Sequence, residues 1–248
     1  MKSIKSIQKL LLLAVISLLM IIATNLVVLA QSDTSLPELK TYPLPESLEN
    51  YRSSSTDNYF SQIQTHKVGS LIWTEFPIQI YVESPADDLS ISALEKFKQW
   101  QKAVQAGIDL WRPYLTMTIV EESENADILI YYRQPELKIK LNPETGLYDL
   151  PRVKAATTRI QFSFTRTDPP QLKHQMTIEV NPRQTYDYLV SNIAHELGHA
   201  LGVWGHSENP KDIMYFAHTR DIPPVSDRDV NTLKMIYQQP TRLGGFID

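Results

Sequence analysis

Between Ser92 and Tyr114 the apolar residues Leu94, Phe97, Trp100, Val104, Ile108 and Trp111 recur every three or four positions. That period draws one apolar face along a helix, so the stretch predicts a long amphipathic helix that stops near Pro113. Tyr186, Leu189, Ile193, Leu197 and Leu201 form a second stripe of the same kind. Other stretches alternate instead. Thr158–Phe164 and Gln175–Val180 each place one apolar face every second residue, the signature of a half-buried strand. Leu115–Glu121 and Asp127–Tyr132 also read as strands, as does Leu71–Val82, where Pro77 implies an edge position or a bulge. The expected order is strand, helix, four strands, helix, an irregular loop and a closing helix. No repeat and no second compact domain is visible.

The ends of the chain follow other patterns. Met1–Lys9 carries Lys2, Lys5 and Lys9 and no acid, and Leu10–Ala30 is apolar apart from Ser17, Thr24 and Asn25. Val28-Leu29-Ala30 suits a cut before Gln31, so residues 1–30 read as a signal peptide and the rest as secreted, periplasmic or extracellular. The apolar run is also long enough to anchor the chain if it stays uncut. Residues 31–70 hold Pro37, Pro43, Pro45 and Ser53–Ser55 with no sustained period, and read as a weakly structured linker or short pro-segment. Residues 71–240 then form the main domain, and 241–248 a C-terminal tail.

Charge and cysteine narrow the function. The chain has 24 basic and 28 acidic residues. Without the three lysines of the leader, 21 basic side chains face 28 acidic ones, a formal charge of −7. That disfavours nucleic acid and anionic membrane surfaces as partners, leaving an uncut N-terminal segment as the only membrane link. Cysteine is absent, so an exported chain must be held by its core or a metal rather than by disulfides.

The chemistry is concentrated in the second helical stripe. His195, Glu196 and His199 stand as H-E-x-x-H. Positions four apart share a helix face, about 5–6 Å apart at Cβ. Two imidazoles so placed can take neighbouring corners of one tetrahedral zinc. Glu196 projects beside the metal and can serve as a base towards water that the metal acidifies. Gly202 can end the helix in a left-handed conformation and turn the chain, returning His206 as a third ligand. Three protein ligands leave one position open, as catalysis requires. His66 and His174 read as a solvated and a structural residue, His66 with a lesser option as a transient zinc block.

His195–His206, followed by Ser207, Pro210, Met214 and Tyr215, resembles the matrixin branch of the metzincin proteases. Val225–Tyr237 is similar to that family's closing helix. The resemblance implies an α+β fold: a twisted five-stranded mixed sheet with two long helices, and a small C-terminal subdomain with a methionine turn and a final helix. It implies a zinc endopeptidase acting on protein or peptide substrates, with one catalytic zinc on His195, His199 and His206 and Glu196 as general base. It places Met214 beneath the metal as an apolar base, and an extended substrate along the edge near Ala155–Phe164. Trp204 reads as packing or a cleft wall, and Asp212 and Asp229 as structural residues.

Three departures qualify the resemblance. The family pattern has two residues between its glycine and third histidine; here Val203, Trp204 and Gly205 intervene. Glu208 and Asp212 are the substitutes if His206 misses. Residues 135–153, where matrixins hold a structural zinc and calcium, contain no histidine; a second zinc is not expected and calcium has no support in the sequence. The missing cysteine also removes the thiol block of many matrixins. Two other readings share the motif: an exported zinc-containing binding protein without catalysis, and an H-E-x-x-H hydrolase outside the metzincins.

Overall fold

The computed structural model describes residues 36–136, 140–141, 148–149, 154–217 and 222–247. The leader, residues 1–30, lies outside them, as does most of the irregular stretch 135–153. Among the described residues no helix is long and apolar enough to cross a membrane.

The alternating segments pair as one sheet. Its strands are β1 (Ile78–Val82), β2 (Met117–Val120), β3 (Ile128–Tyr132), β6 (Ala156–Phe164) and β7 (Leu172–Val180), in the order β2-β1-β3-β7-β6. All neighbours are parallel except β6 on β7, which is antiparallel over nine residue pairs from Ala156↔Val180 to Phe164↔Leu172. A short ribbon of β4 (Lys140–Leu141) and β5 (Tyr148–Asp149) lies in the stretch read as irregular.

Strand β1 is shorter than its apolar run. Pairing begins at Ile78, whose N–H reaches the Thr116 carbonyl at 2.9 Å, because Pro77 has no N–H to give. The strand lies inside the sheet, between β2 and β3, so Pro77 marks its start and not an edge. Leu71, Ile72 and Trp73 are buried without pairing. Ile72 and Trp73 join the main core, and Leu71 packs in a smaller cluster with Val68, Leu172 and Leu243.

Among the described residues the α-helices are α1 (Glu46–Asn50), α2 (Ile91–Trp111), α3 (Tyr186–Ala200) and α4 (Asp227–Tyr237). Ser90 caps α2 by accepting from Ala93 N–H. Phe97, Trp100, Val104, Ile108 and Trp111 are buried as the stripe requires. In α3 the stripe holds from Leu189 to Leu197, but Tyr186, on the first turn, is exposed. Ile78, Ile80, Ile128, Ile130, Met176, Ile178 and Val180 of the sheet join both helices in one core.

Residues 37–70 are not a loose linker. Pro37–Asp248 is one compact unit, in which Leu48, Tyr59 and Val68 are buried. The C-terminal tail is built in as well. Lys40 and Thr241 exchange main-chain bonds at 2.8 and 2.9 Å, and Arg242 N–H reaches the Val68 carbonyl at 2.7 Å. Both spans lack a period because they bond at scattered points, to loop carbonyls and, for the tail, to Leu172 at the start of β7.

His174 of β7 is buried and stacks on Trp73, ring centroids 3.9 Å apart, with Nε2 unpartnered. Burial pushes its pKa down to about 3. An unfolded chain takes up that proton near pH 6.5, so stability is intact above that value and falls as the pH drops towards 3. The full loss is on the order of 5 kcal/mol. Thermal melts between pH 4 and 7 should show a shallower slope for His174→Phe, which keeps the stack. Equal slopes would show that this histidine does not set the acid sensitivity.

Candidate metal centre

Helix α3 carries the site because its C-terminal half is pinned from two sides. Trp111 Nε1–H reaches the Ala194 carbonyl at 2.8 Å, and Trp73 Nε1–H reaches the Ala200 carbonyl at 2.9 Å. Tyr237 hydroxyl closes on the Leu201 carbonyl at 3.2 Å. The last two satisfy carbonyls that the helix end leaves unpaired. Gly202 follows at φ 120°, a conformation that suits glycine, and turns the chain back towards α3.

That turn brings His206 to the helical pair. One nitrogen each from His195, His199 and His206 lies within 4.8 Å of the others. Ring centroids are 4.9 Å apart for His195–His199, 5.2 Å for His195–His206 and 4.9 Å for His199–His206. The added residue is absorbed by a main-chain bond from Trp204 N–H to the Gly202 carbonyl, 2.9 Å.

The tautomers suit a cation. His195 Nδ1 donates to the Ile213 carbonyl at 2.9 Å and His199 Nδ1 to the Val203 carbonyl at 2.6 Å. A carbonyl cannot donate, so Nδ1 must hold the proton and Nε2 is left with its lone pair. This is the outer support that metal-binding histidines use. Burial pushes His199 down to about 3 and also lowers His206, where the neighbouring His195 adds to the effect. Both shifts favour the neutral imidazole that a metal needs. Two imidazoles with fixed tautomers and a third ring in reach of both fit zinc.

Glu196 stands apart from this group. Its Oε2 accepts from Thr158 Oγ1 at 2.6 Å, and the same hydroxyl lies 2.9 Å from the Glu196 carbonyl. Burial raises its pKa, against the hydrogen bond from Thr158. Thr158 comes from β6, and no spacing in the sequence signals its role. Phe216, an exposed aromatic beside the site, likewise carries no motif.

A cleft of about 640 Å³ contains His195, Glu196, His199 and His206. Ala155–Thr158, Lys154, Gln64, Trp204 and Phe216 wall it. Trp204 thus packs and forms a wall, 5.9 Å from His199. His66 lies against Phe162 at a tilt, centroids 4.9 Å apart, and is not among the lining residues.

Met214 is fully buried beneath α3. A Cβ on Gly198 would lie 2.2 Å from its sulfur and 2.9 Å from Trp111, so glycine at 198 leaves the room that the methionine fills against the helix. Asp212 is enclosed, bonding Ser207, Ser226 Oγ at 2.7 Å and Arg228 Nε at 2.9 Å. Asp229 closes a capping box with Ser226 and accepts from Ile213 N–H at 3.0 Å. Neither acid belongs to the histidine cluster.

A mixed sheet over two helices, with three imidazoles and one carboxylate converging in a cleft along the sheet's antiparallel edge, is the architecture of a metalloprotease catalytic domain. The family model for matrixin matches residues 86–238. The chain belongs to the matrixin family, whose members are zinc metalloproteases. No curated protein matches it.

Proposed function

We propose that the chain is an exported zinc endopeptidase with Glu196 as general base. The carrying observation is a set of three histidines with free Nε2 or ring nitrogens in reach of one point, two of them tautomer-locked, beside a carboxylate that is not one of them. His195, His199 and His206 hold the ion and leave a position open. Zinc bound there supplies Lewis acidity to the scissile carbonyl and to the attacking water.

Glu196 handles the proton. Its carboxylate accepts one from the water as the oxygen bonds to the carbonyl carbon. The acid so formed passes that proton to the amine nitrogen as the C–N bond breaks. Thr158 holds the carboxylate in place from the sheet. A binding protein without catalysis has no use for a desolvated carboxylate aimed this way.

Strand β6 supplies the substrate rail. Asn181 N–H bonds the Ala155 carbonyl and Thr165 N–H the Gln171 carbonyl, both at 2.9 Å. Odd-numbered residues therefore face β7, and alternation turns the main-chain groups of Ala156, Thr158 and Ile160 to the free edge. An extended peptide adds there as another strand and passes the histidines. The charge of the exported chain argues for protein or peptide partners and against nucleic acid.

Metal analysis of purified protein should find one zinc per chain. Hydrolysis of an unfolded protein substrate should stop on chelation and return with added zinc. Folded protein without metal, or hydrolysis indifferent to the chelator, would sink the proposal.

A further inference from the structure

Tyr59–Gln64 lies outside both the family match and every motif in the sequence. It nevertheless touches the support of each of the three histidines. Gln64 N–H bonds the Trp204 carbonyl at 2.9 Å. Trp204 follows Val203, whose carbonyl holds His199, and precedes Gly205 and His206.

Gly205 is pressed against the same stretch. A Cβ there would sit 2.3 Å from the Gln62 carbonyl oxygen and 3.1 Å from Ile63 Cδ1. The first clash is with backbone, so the pair fits only while position 205 is glycine. Trp204 and Gly205 belong to the loop that is one residue longer than the matrixin pattern. The extra length is thus taken up against Gln62–Gln64.

The other end of the stretch reaches His195. Tyr59 hydroxyl donates to Asp229 Oδ1 at 2.6 Å, and Tyr59 N–H bonds Thr232 Oγ1 at 3.0 Å. Asp229 Oδ2 takes the Ile213 N–H at 3.0 Å, and the Ile213 carbonyl takes His195 Nδ1. Between these anchors Phe60 and Ile63 pack against the main core.

We infer that Tyr59–Gln64 is a positioning element of the metal centre, which sets the long loop so that His206 meets His195 and His199. The inference rests on the zinc reading above. It makes the segment part of the catalytic unit and not a cover to be removed on activation. It also explains how a matrixin keeps its third histidine with a longer loop: length added on one side is braced by a segment from the other end of the chain.

Gln64→Pro tests it in the full chain. Ile63 already has φ −81° and ψ 128°, the extended conformation that a following proline favours. The substitution therefore suits the residue before it and removes both the N–H and the side chain, whereas Gln64→Ala removes the side chain and keeps the N–H. Zinc affinity is read by competition with a chelator, and ligand geometry by the visible spectrum of the cobalt(II) protein. Gln64→Pro should weaken zinc about tenfold and alter the cobalt bands, while Gln64→Ala binds zinc as wild type does. Gly205→Ala should weaken zinc as well, and decides the matter if the proline variant does not fold. Melting of the metal-free proteins separates loss of positioning from loss of folding. Wild-type affinity and an unchanged cobalt spectrum in Gln64→Pro and Gly205→Ala would overturn the inference. The proposed function has its own readout, since it fails only if the wild-type chain binds no zinc or does not hydrolyse.

Discussion

Glu196→Ala should bind zinc like the wild type and lose most of its hydrolysis. The two halves of that result have separate causes. Glu196 is outside the histidine cluster, and its Oε2 is engaged by Thr158. Removing it takes no nitrogen from the metal. Alanine also suits a helix interior, so α3 should stay intact. What disappears is the acceptor for the water's proton and the donor to the leaving amine. General acid–base catalysis of this kind is worth about 10²–10⁴-fold. The burial that raises the Glu196 pKa brings the base closer to neutrality, where it accepts and returns a proton most effectively. Steady-state kinetics on an unfolded protein, with metal content measured on the same samples, checks both halves. Near wild-type turnover in the variant would remove Glu196 from the mechanism. Loss of zinc would make it a ligand instead.

His206→Ala should show the opposite division, with metal lost before anything else. His206 is the exposed member of the three, on a loop, while His195 and His199 are fixed on α3. Its removal leaves two imidazoles, too few for a catalytic zinc site. The fall in affinity should exceed the roughly 10–100-fold that loss of an outer-shell partner costs. The fold should survive, since an exposed side chain contributes little to the core. Chelator competition at pH 7.5 gives the affinity, and melting of the metal-free protein gives the fold. Acid should mimic the variant in the wild type, because protonated imidazoles cannot ligate. Unchanged affinity would mean that another group has taken the corner. Asp212 is tied to Ser207, Ser226 and Arg228, which would leave exposed Glu208 as the substitute.

The sequence by itself determined the parts governed by local spacing. A 3.6-residue period over Phe97–Trp111 and a two-residue period over β7 state which face must be buried, while the alternating apolar residues of β6 are left half-buried or exposed. Burial supplies the main energy of folding, so those elements formed where the pattern put them. His195, Glu196 and His199 were legible for the same reason, since four residues along a helix is a fixed distance. His206 was legible through a glycine that could reverse the chain, although its longer loop left the spacing undecided.

Only the tertiary structure decided the rest, because those contacts join residues far apart in the chain. Thr158 meets Glu196 through the edge of the sheet, and nothing near either residue signals the other. Pro77 marks the start of an inner strand and not an edge, since the neighbours of β1 come from β2 and β3. Tyr59–Gln64 falls in a span read as linker or pro-segment and Thr241–Phe246 in one read only as a tail, yet each bonds to main-chain groups and core side chains whose positions only the folded chain supplies. Periodicity records which face an element buries against its neighbours. It carries no mark of single hydrogen bonds between distant loops, and in this protein those bonds hold the long loop of the metal centre in place.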